Sequence, residues 1–197
     1  MKFLFDLGGV FFDWDPNYFF VNIFKESEER EYFLNEICND SWNIQQDAGR
    51  SINEAELELI PKFPEYESQI RMYYANHRKM IKGIFQESIT ILNFLKNNNY
   101  ECYVLSNWSA ETFEGMIKDY PFLKDFDGLL ISGEDKLIKP DLAIYQLAIK
   151  RFNLVPHNCV FIDDKLENVE AAKKLNFNII HLINPKTIGV DIKKYLN

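Results

Sequence analysis

The sequence predicts a doubly wound α/β core interrupted by an all-helical insertion. Two observations carry the expectation. Five short apolar runs, "FLF" at 3–5, "CYVL" at 102–105, "GLLI" at 128–131, "CVFI" at 159–162 and "NIIHLI" at 178–183, are continuous rather than alternating. That is the pattern of strands covered on both faces of a parallel sheet. Helical patterns separate the later runs, as in α/β folds, whereas residues 16–85 read as helices with no strand between them.

Taken in order, the first run delivers Asp6 and is followed at once by Gly8 and Gly9, residues that let a chain turn sharply. The arm "FFDWD" then carries Asp13 and Asp15, which share a face if the arm is extended. "PNYFFVNIF", "SEEREYFLNEIC", "INEAELELI" and "YESQIRMYYANHRKMI" are the helices of the insertion. Ser51 followed by Glu54 is a capping-box pattern for one of them. The predicted division is a core of residues 1–15 and 86–197 with a cap of residues 16–85 over the site. A merely structural flank is the alternative. In the second half, "DLAIYQLAIKRF" puts Tyr145, Ala148, Ile149 and Phe152 on one helix face, and "LENVEAAKKLN" does the same with Val169, Ala172 and Leu175. Pro140 is placed to open the first of these helices at its first turn.

Composition narrows the function. The chain has 197 residues, 47% of them hydrophobic, and a formal net charge of −8. Such acidity argues against nucleic acid as a partner, because tracking phosphates needs Lys and Arg. It still admits one small anionic molecule where a metal or a local cation offsets the field. Cys38, Cys102 and Cys159 are odd in number and share no metal-type spacing, which suits reduced thiols in a cytoplasmic protein. No opening targeting segment is evident, and no apolar run approaches the roughly 20 residues a bilayer span requires. A soluble protein without a membrane partner is expected. Nothing in the sequence sets its oligomeric state.

In an open parallel sheet, ligands bind beyond the carboxyl ends of the strands. The runs end in Asp6, in Ser106–Asn107 and in Asp163–Asp164, and Lys139 lies in "LIKPD" between the last two. Each type has work in phosphoryl transfer. Asp6 can attack phosphorus and form an aspartyl phosphate. Asp6 with Asp163 and Asp164 can hold Mg²⁺, a hard ion suited to carboxylate oxygen. Ser106, the Asn107 backbone and Lys139 can hold the phosphate oxygens.

The order "FDLGGV … LSN … IKPD … FIDD" resembles the four motifs of the haloacid dehalogenase-like hydrolase superfamily, from residue 3 to about 185. The resemblance implies a Rossmann-like core with a helical cap inserted after the first motif. It implies Asp6 as nucleophile, Ser106 and Lys139 as phosphate ligands, and Asp163, Asp164 and the Gly8 carbonyl on Mg²⁺. The expected substrate is a small phosphorylated metabolite, with a sugar phosphate as the class that the resemblance favours.

One position departs from the pattern. Most phosphatases of this superfamily carry a second Asp, the general acid and base, where this chain has Gly8. Such assistance is worth about 10²–10⁴-fold in rate. Asp13 or Asp15 can replace it, unless they are turn acids, with Asp15–Pro16 capping the first cap helix. The substrate can instead carry a good leaving group, such as an anomeric sugar oxygen. Or catalysis has been lost and the fold only binds its ligand. The dehalogenase branch also lacks the second Asp, but the Asp163–Asp164 pair argues for Mg²⁺. In the cap, Trp42, Asn43, Gln46 and Arg50 are candidates to face the site, Arg50 toward an anionic or sugar group. Asn168, a helical turn after the acid pair, is a candidate support for metal waters. His77, His157 and His181 read as structural, and Tyr73 and Tyr74 as a packed cap face.

Overall fold

The computed structural model describes residues 1–196. Its strands are Lys2–Phe5 (β1), Phe12–Trp14 (β2), Ile81–Ile84 (β3), Glu101–Ser106 (β4), Gly128–Ile131 (β5), Cys159–Asp163 (β6) and Asn178–His181 (β7). Five of them form an all-parallel sheet in the order β5-β4-β1-β6-β7. β1 lies at the centre because its three apolar residues are covered on both faces. Phe3 and Phe5 pack on one side and Leu4 on the other, all fully buried. Each such side chain contributes roughly 1.5–3 kcal/mol of burial.

The helices are Asn17–Phe20 (α1), Ser27–Tyr32 (α2, continued by a π-helical turn over Phe33–Ile37), Asp40–Asp47 (α3), Ile52–Leu59 (α4), Glu67–Ala75 (α5), Gln86–Asn97 (α6), Ala110–Phe113 (α7), Met116–Asp119 (α8), Ser132–Asp135 (α9), Leu142–Arg151 (α10), Leu166–Lys174 (α11) and Ile188–Ile192 (α12). One sheet face is covered through Leu92 and Leu95 of α6 and Ile188 and Ile192 of α12. The other is covered through Ile144, Tyr145 and Ala148 of α10 and Val169, Ala171 and Ala172 of α11. The expected Rossmann-like α/β core is therefore present. Helix α10 starts differently from the expectation. Asp141, not Pro140, precedes its first turn and accepts a hydrogen bond from the Ala143 N–H at 3.0 Å.

The helical cap, α1 to α5, leaves the core through β2 and returns through β3, which pair as a separate antiparallel ribbon. β3 is a strand inside residues 16–85, a stretch that the sequence reading leaves without one. Its four residues "IKGI" are too short to show a period, and their partner β2 lies 67 or more residues earlier. The cap has its own core, built largely of rings: Phe20, Phe24, Phe33, Trp42, Tyr73 and Tyr74. Asn39 caps α3 by accepting from the Trp42 N–H at 2.9 Å. Ser51 and Glu54 form the expected capping box at α4. Cys38, Cys102 and Cys159 are buried free thiols, and no helix among the described residues is long and apolar enough to cross a membrane.

Candidate active site

Parallel, in-register strands bring their carboxyl ends to one edge. Phe5 pairs with both Val104 of β4 and Ile162 of β6, so Asp6, Ser106 and Asp163 emerge together. Asp6 Oδ1 accepts from the Leu7 N–H at 2.7 Å and from the Ser106 hydroxyl at 2.7 Å. The Lys139 ammonium lies 3.0 Å from the same oxygen and 2.6 Å from Asp163 Oδ2. Asp163 is held further by the Lys165 N–H at 2.8 Å and by the Asn168 amide, 3.0 Å from each oxygen. Asn107 fixes the lysine loop through both backbone groups of Lys139, donating to its carbonyl at 2.9 Å and accepting from its N–H at 2.8 Å.

The turn after Asp6 depends on Gly9. Its φ is +67°, a left-handed value that suits glycine, and a Cβ there would stand 2.4 Å from Asp164 Oδ2. The bare backbone lets the loop lie against Asp164. Gly8 differs. It lines the cavity, and a Cβ built on it meets nothing within 4 Å.

Electrostatics follow from burial. Desolvation pushes the Asp6 carboxyl up to about 7, with Asp163 and Asp164 adding to the rise and Lys139 and the Ser106 hydroxyl opposing it. For Lys139 burial alone acts downward, but Asp163 and Asp6 together overcome it and hold the ammonium above its ordinary range. The two directions are consistent, because the lysine sits between two carboxylates while Asp6 faces two like charges. Asp164 is raised by burial and then by Asp163.

The cluster suits a divalent cation. One oxygen from each of Asp6, Asp163 and Asp164 lies within 4.8 Å of the others. The cluster holds three carboxylates and one buried ammonium, which contacts only Asp6 and Asp163, leaving an excess of negative charge that such an ion would balance. Asn168 Oδ1 is buried with no hydrogen-bond partner among the described residues, while the amide nitrogen holds Asp163.

A cavity of about 390 Å³ opens over this cluster. Phe12, Trp14, His77 and Trp108 form a continuous aromatic wall with successive ring centres 5.5–5.8 Å apart. Cap helix α3 turns Asp40, Asn43, Ile44 and Asp47 into the space, while Trp42 and Gln46 face the cap core. The other sequence candidates are placed differently from one another. Asp13 lines the cavity and accepts from the Tyr18 hydroxyl at 2.7 Å. A register shift between Asp13 and Trp14 breaks the shared face, and Asp15 instead accepts from the Asn17 N–H at 2.8 Å at the start of α1. Arg50 is turned away from the cavity. Gly49 reverses the chain at φ +94°, and the guanidinium binds Gln46 Oε1 at 2.7 Å and pairs with Glu58 within the cap.

Sequence reasoning missed the aromatic wall and Asp47. The spacing of Asp40, Asn43 and Asp47, three and then four apart on one helix face, was the available pointer. Burial pushes the Asp47 carboxyl up to about 7, against the pull of Lys165 and the Ser109 N–H.

The chain is 24% identical to a sesquiterpene phosphatase of Aspergillus oryzae, over 97% of this chain and 94% of that one. It is 21% identical to a phosphorylated carbohydrates phosphatase of Thermotoga maritima, over 92% and 86%. Its fold matches a HAD family enzyme of Bacteroides thetaiotaomicron, solved with magnesium and inorganic phosphate, at a TM-score of 0.69 and 23% identity, over 91% and 92% of the two chains. Residues 3–176 match the family of haloacid dehalogenase-like hydrolases. With that match spanning most of its length, the chain belongs to the haloacid dehalogenase-like hydrolases.

Proposed function

We propose that the protein is a Mg²⁺-dependent phosphatase that hydrolyses a small phosphomonoester, a sugar phosphate, through an aspartyl phosphate on Asp6. The observation that carries this reading is that Asp6 meets both Lys139 and Ser106 while one of its oxygens lies within 4.8 Å of oxygens of Asp163 and Asp164. Asp6, Asp163, Asp164 and the Gly8 carbonyl would hold the ion, which supplies charge neutralisation for the phosphoryl group when bound. Asp6 Oδ1 is fixed by three donors, which orients the carboxylate for in-line attack. The Lys139 ammonium and the Ser106 hydroxyl then stabilise the charge spread over the phosphoryl oxygens. Cap residues close the cavity and exclude bulk water.

Two features support a sugar. The rings of Trp14 and Trp108 line the cavity and offer flat faces against which a sugar ring can pack. Asp13, Asp40 and Asn43 offer acceptors for hydroxyls around them. The carbohydrate phosphatase relative supports the same class. A second reading, the phosphate of an apolar alcohol, draws on the aromatic wall and on the sesquiterpene phosphatase relative. Halide displacement has no use for the Asp163–Asp164 pair.

The test is turnover of an aryl phosphate with and without Mg²⁺. Asp6→Asn should remove turnover while circular dichroism stays unchanged; activity that survives it, or survives full chelation, would refute the mechanism. A protein that only binds its ligand would show no turnover from the start. A panel of sugar 1-phosphates, sugar 6-phosphates and an isoprenoid monophosphate then separates the substrate classes.

A further inference from the structure

The core offers no acid at Gly8, where a side chain would meet only open space. Outside the metal cluster, three carboxylates line the cavity: Asp13, Asp40 and Asp47. Asp13 is bound by the Tyr18 hydroxyl. Asp40 is exposed and starts α3, two turns and about 10 Å of helix away from Asp47. Asp47 ends α3 at the point where the cap is clamped to the core. Its carbonyl accepts from the Ser132 hydroxyl at 2.6 Å, and that hydroxyl accepts from the Trp108 N–H at 2.9 Å. Two residues on, Gly49 lies against Lys136 and Gly133, so closely that a Cβ would stand 2.7 Å from Lys136 Cγ. The Ile52 N–H donates to Glu111 at 2.8 Å. The clamp fixes the Asp47 backbone to the core, and its side chain lines the same cavity as Asp6.

The groups that set its charge come from every side. Lys165 lies beyond β6, Asp6 and Lys139 lie across the cavity, Tyr73 and Tyr74 of α5 lie behind it, and the Ser109 N–H lies beside it. Burial dominates among them and brings the carboxyl to about 7, where it can both give and take a proton at neutral pH.

We infer that Asp47, reaching in from the cap, is the general acid and base that the core lacks at Gly8. The inference rests on the phosphatase reading above. As the bond from Asp6 to phosphorus forms and the bond from phosphorus to the substrate oxygen breaks, the Asp47 proton passes to that oxygen and the alcohol leaves. The Asp47 carboxylate then takes a proton from water as the water oxygen bonds to phosphorus and the Asp6–phosphorus bond breaks. Inorganic phosphate leaves, Asp6 is a carboxylate again, and Asp47 is reprotonated.

The experiment compares two aryl esters of similar shape, 2,4-dinitrophenyl phosphate, whose leaving group needs no proton, and phenyl phosphate, whose leaving group does. Phenol release is followed in a single turnover with Mg²⁺. Asp47→Asn should slow phenyl phosphate by about 10²–10⁴-fold and change the dinitrophenyl ester by no more than a few-fold. The wild-type rate on phenyl phosphate should also fall above neutral pH, and that limb should be missing in the variant. Equal losses on both esters, or none on either, would overturn the proposal. Should Asp47→Asn fail to fold, Asp47→Ser and the wild-type pH profile give the same comparison. If the wild type turns over neither ester, the phosphatase reading itself falls, and this inference with it.

Discussion

The core and the cap bring residues to one cavity by different means. In the core, hydrogen-bonded strands in register set Asp6, Ser106 and Asp163, and Lys139 is locked between two of them. In the cap, short helices packed through rings turn one face of α3 toward the same space, and a few bonds such as Ser132 to Asp47 hold the two bodies together. A ladder fixes a residue wherever its strand ends. A helix face fixes one only once the packing of the whole body is settled. The buried charges are set by the ladder, and the rest of the cavity lining comes partly from the helix face.

The largest way to break this contrast is at the buried lysine. Lys139→Met leaves Asp6 and Asp163 desolvated without their cation, a loss of about 3–5 kcal/mol. Chemical denaturation should show that loss without metal and a smaller one with Mg²⁺ present. No loss in either condition would mean that the ladder does not depend on its central charge.

Next is the junction. His77 packs at a tilt between Trp14 and Trp108, and burial lowers its pKa from 6.5 to about 4. A histidine kept neutral by folding contributes stability above pH 6.5 that is lost as pH falls through 4. The shift corresponds to about 3 kcal/mol. Thermal melts from pH 7 to pH 4 should fall further for the wild type than for His77→Phe, which keeps the ring contacts and cannot titrate. Parallel curves would show that the cap joint does not feel this group.

The smallest expected effect is at the clamp. Ser132→Ala removes one hydroxyl and leaves the Trp108 N–H and the Asp47 carbonyl without it, a cost of about 1–3 kcal/mol. Activity on phenyl phosphate should fall more than activity on the dinitrophenyl ester, because Asp47 loses its anchor while Asp6 does not. A uniform loss would place the role of Ser132 in the core alone.

The same contrast explains what could be read from the sequence. Asp6, Ser106, Asp163 and Asp164 follow apolar runs, and a parallel sheet gathers whatever follows its strands. That rule needs no knowledge of side-chain packing. Lys139 was legible through its neighbours in "IKPD". β3 was not, because four residues show no period and its partner lies far back in the chain. Asp15 and Arg50 turned elsewhere for local reasons, a register shift in one case and a left-handed glycine in the other. Asp47 shares a helical spacing with Asp40 and Asn43, but which helix face meets the core, and which rings gather into the wall, are tertiary facts.

The measurement that bears most directly on this account is the mass of the protein mixed with an activated aryl phosphate and quenched in acid. It should show one added phosphoryl group, dependent on Mg²⁺, localised to Asp6 and absent in Asp6→Asn. A phosphoryl group on another residue, or product released with no such adduct in wild type or in the slowed Asp47→Asn variant, would contradict it.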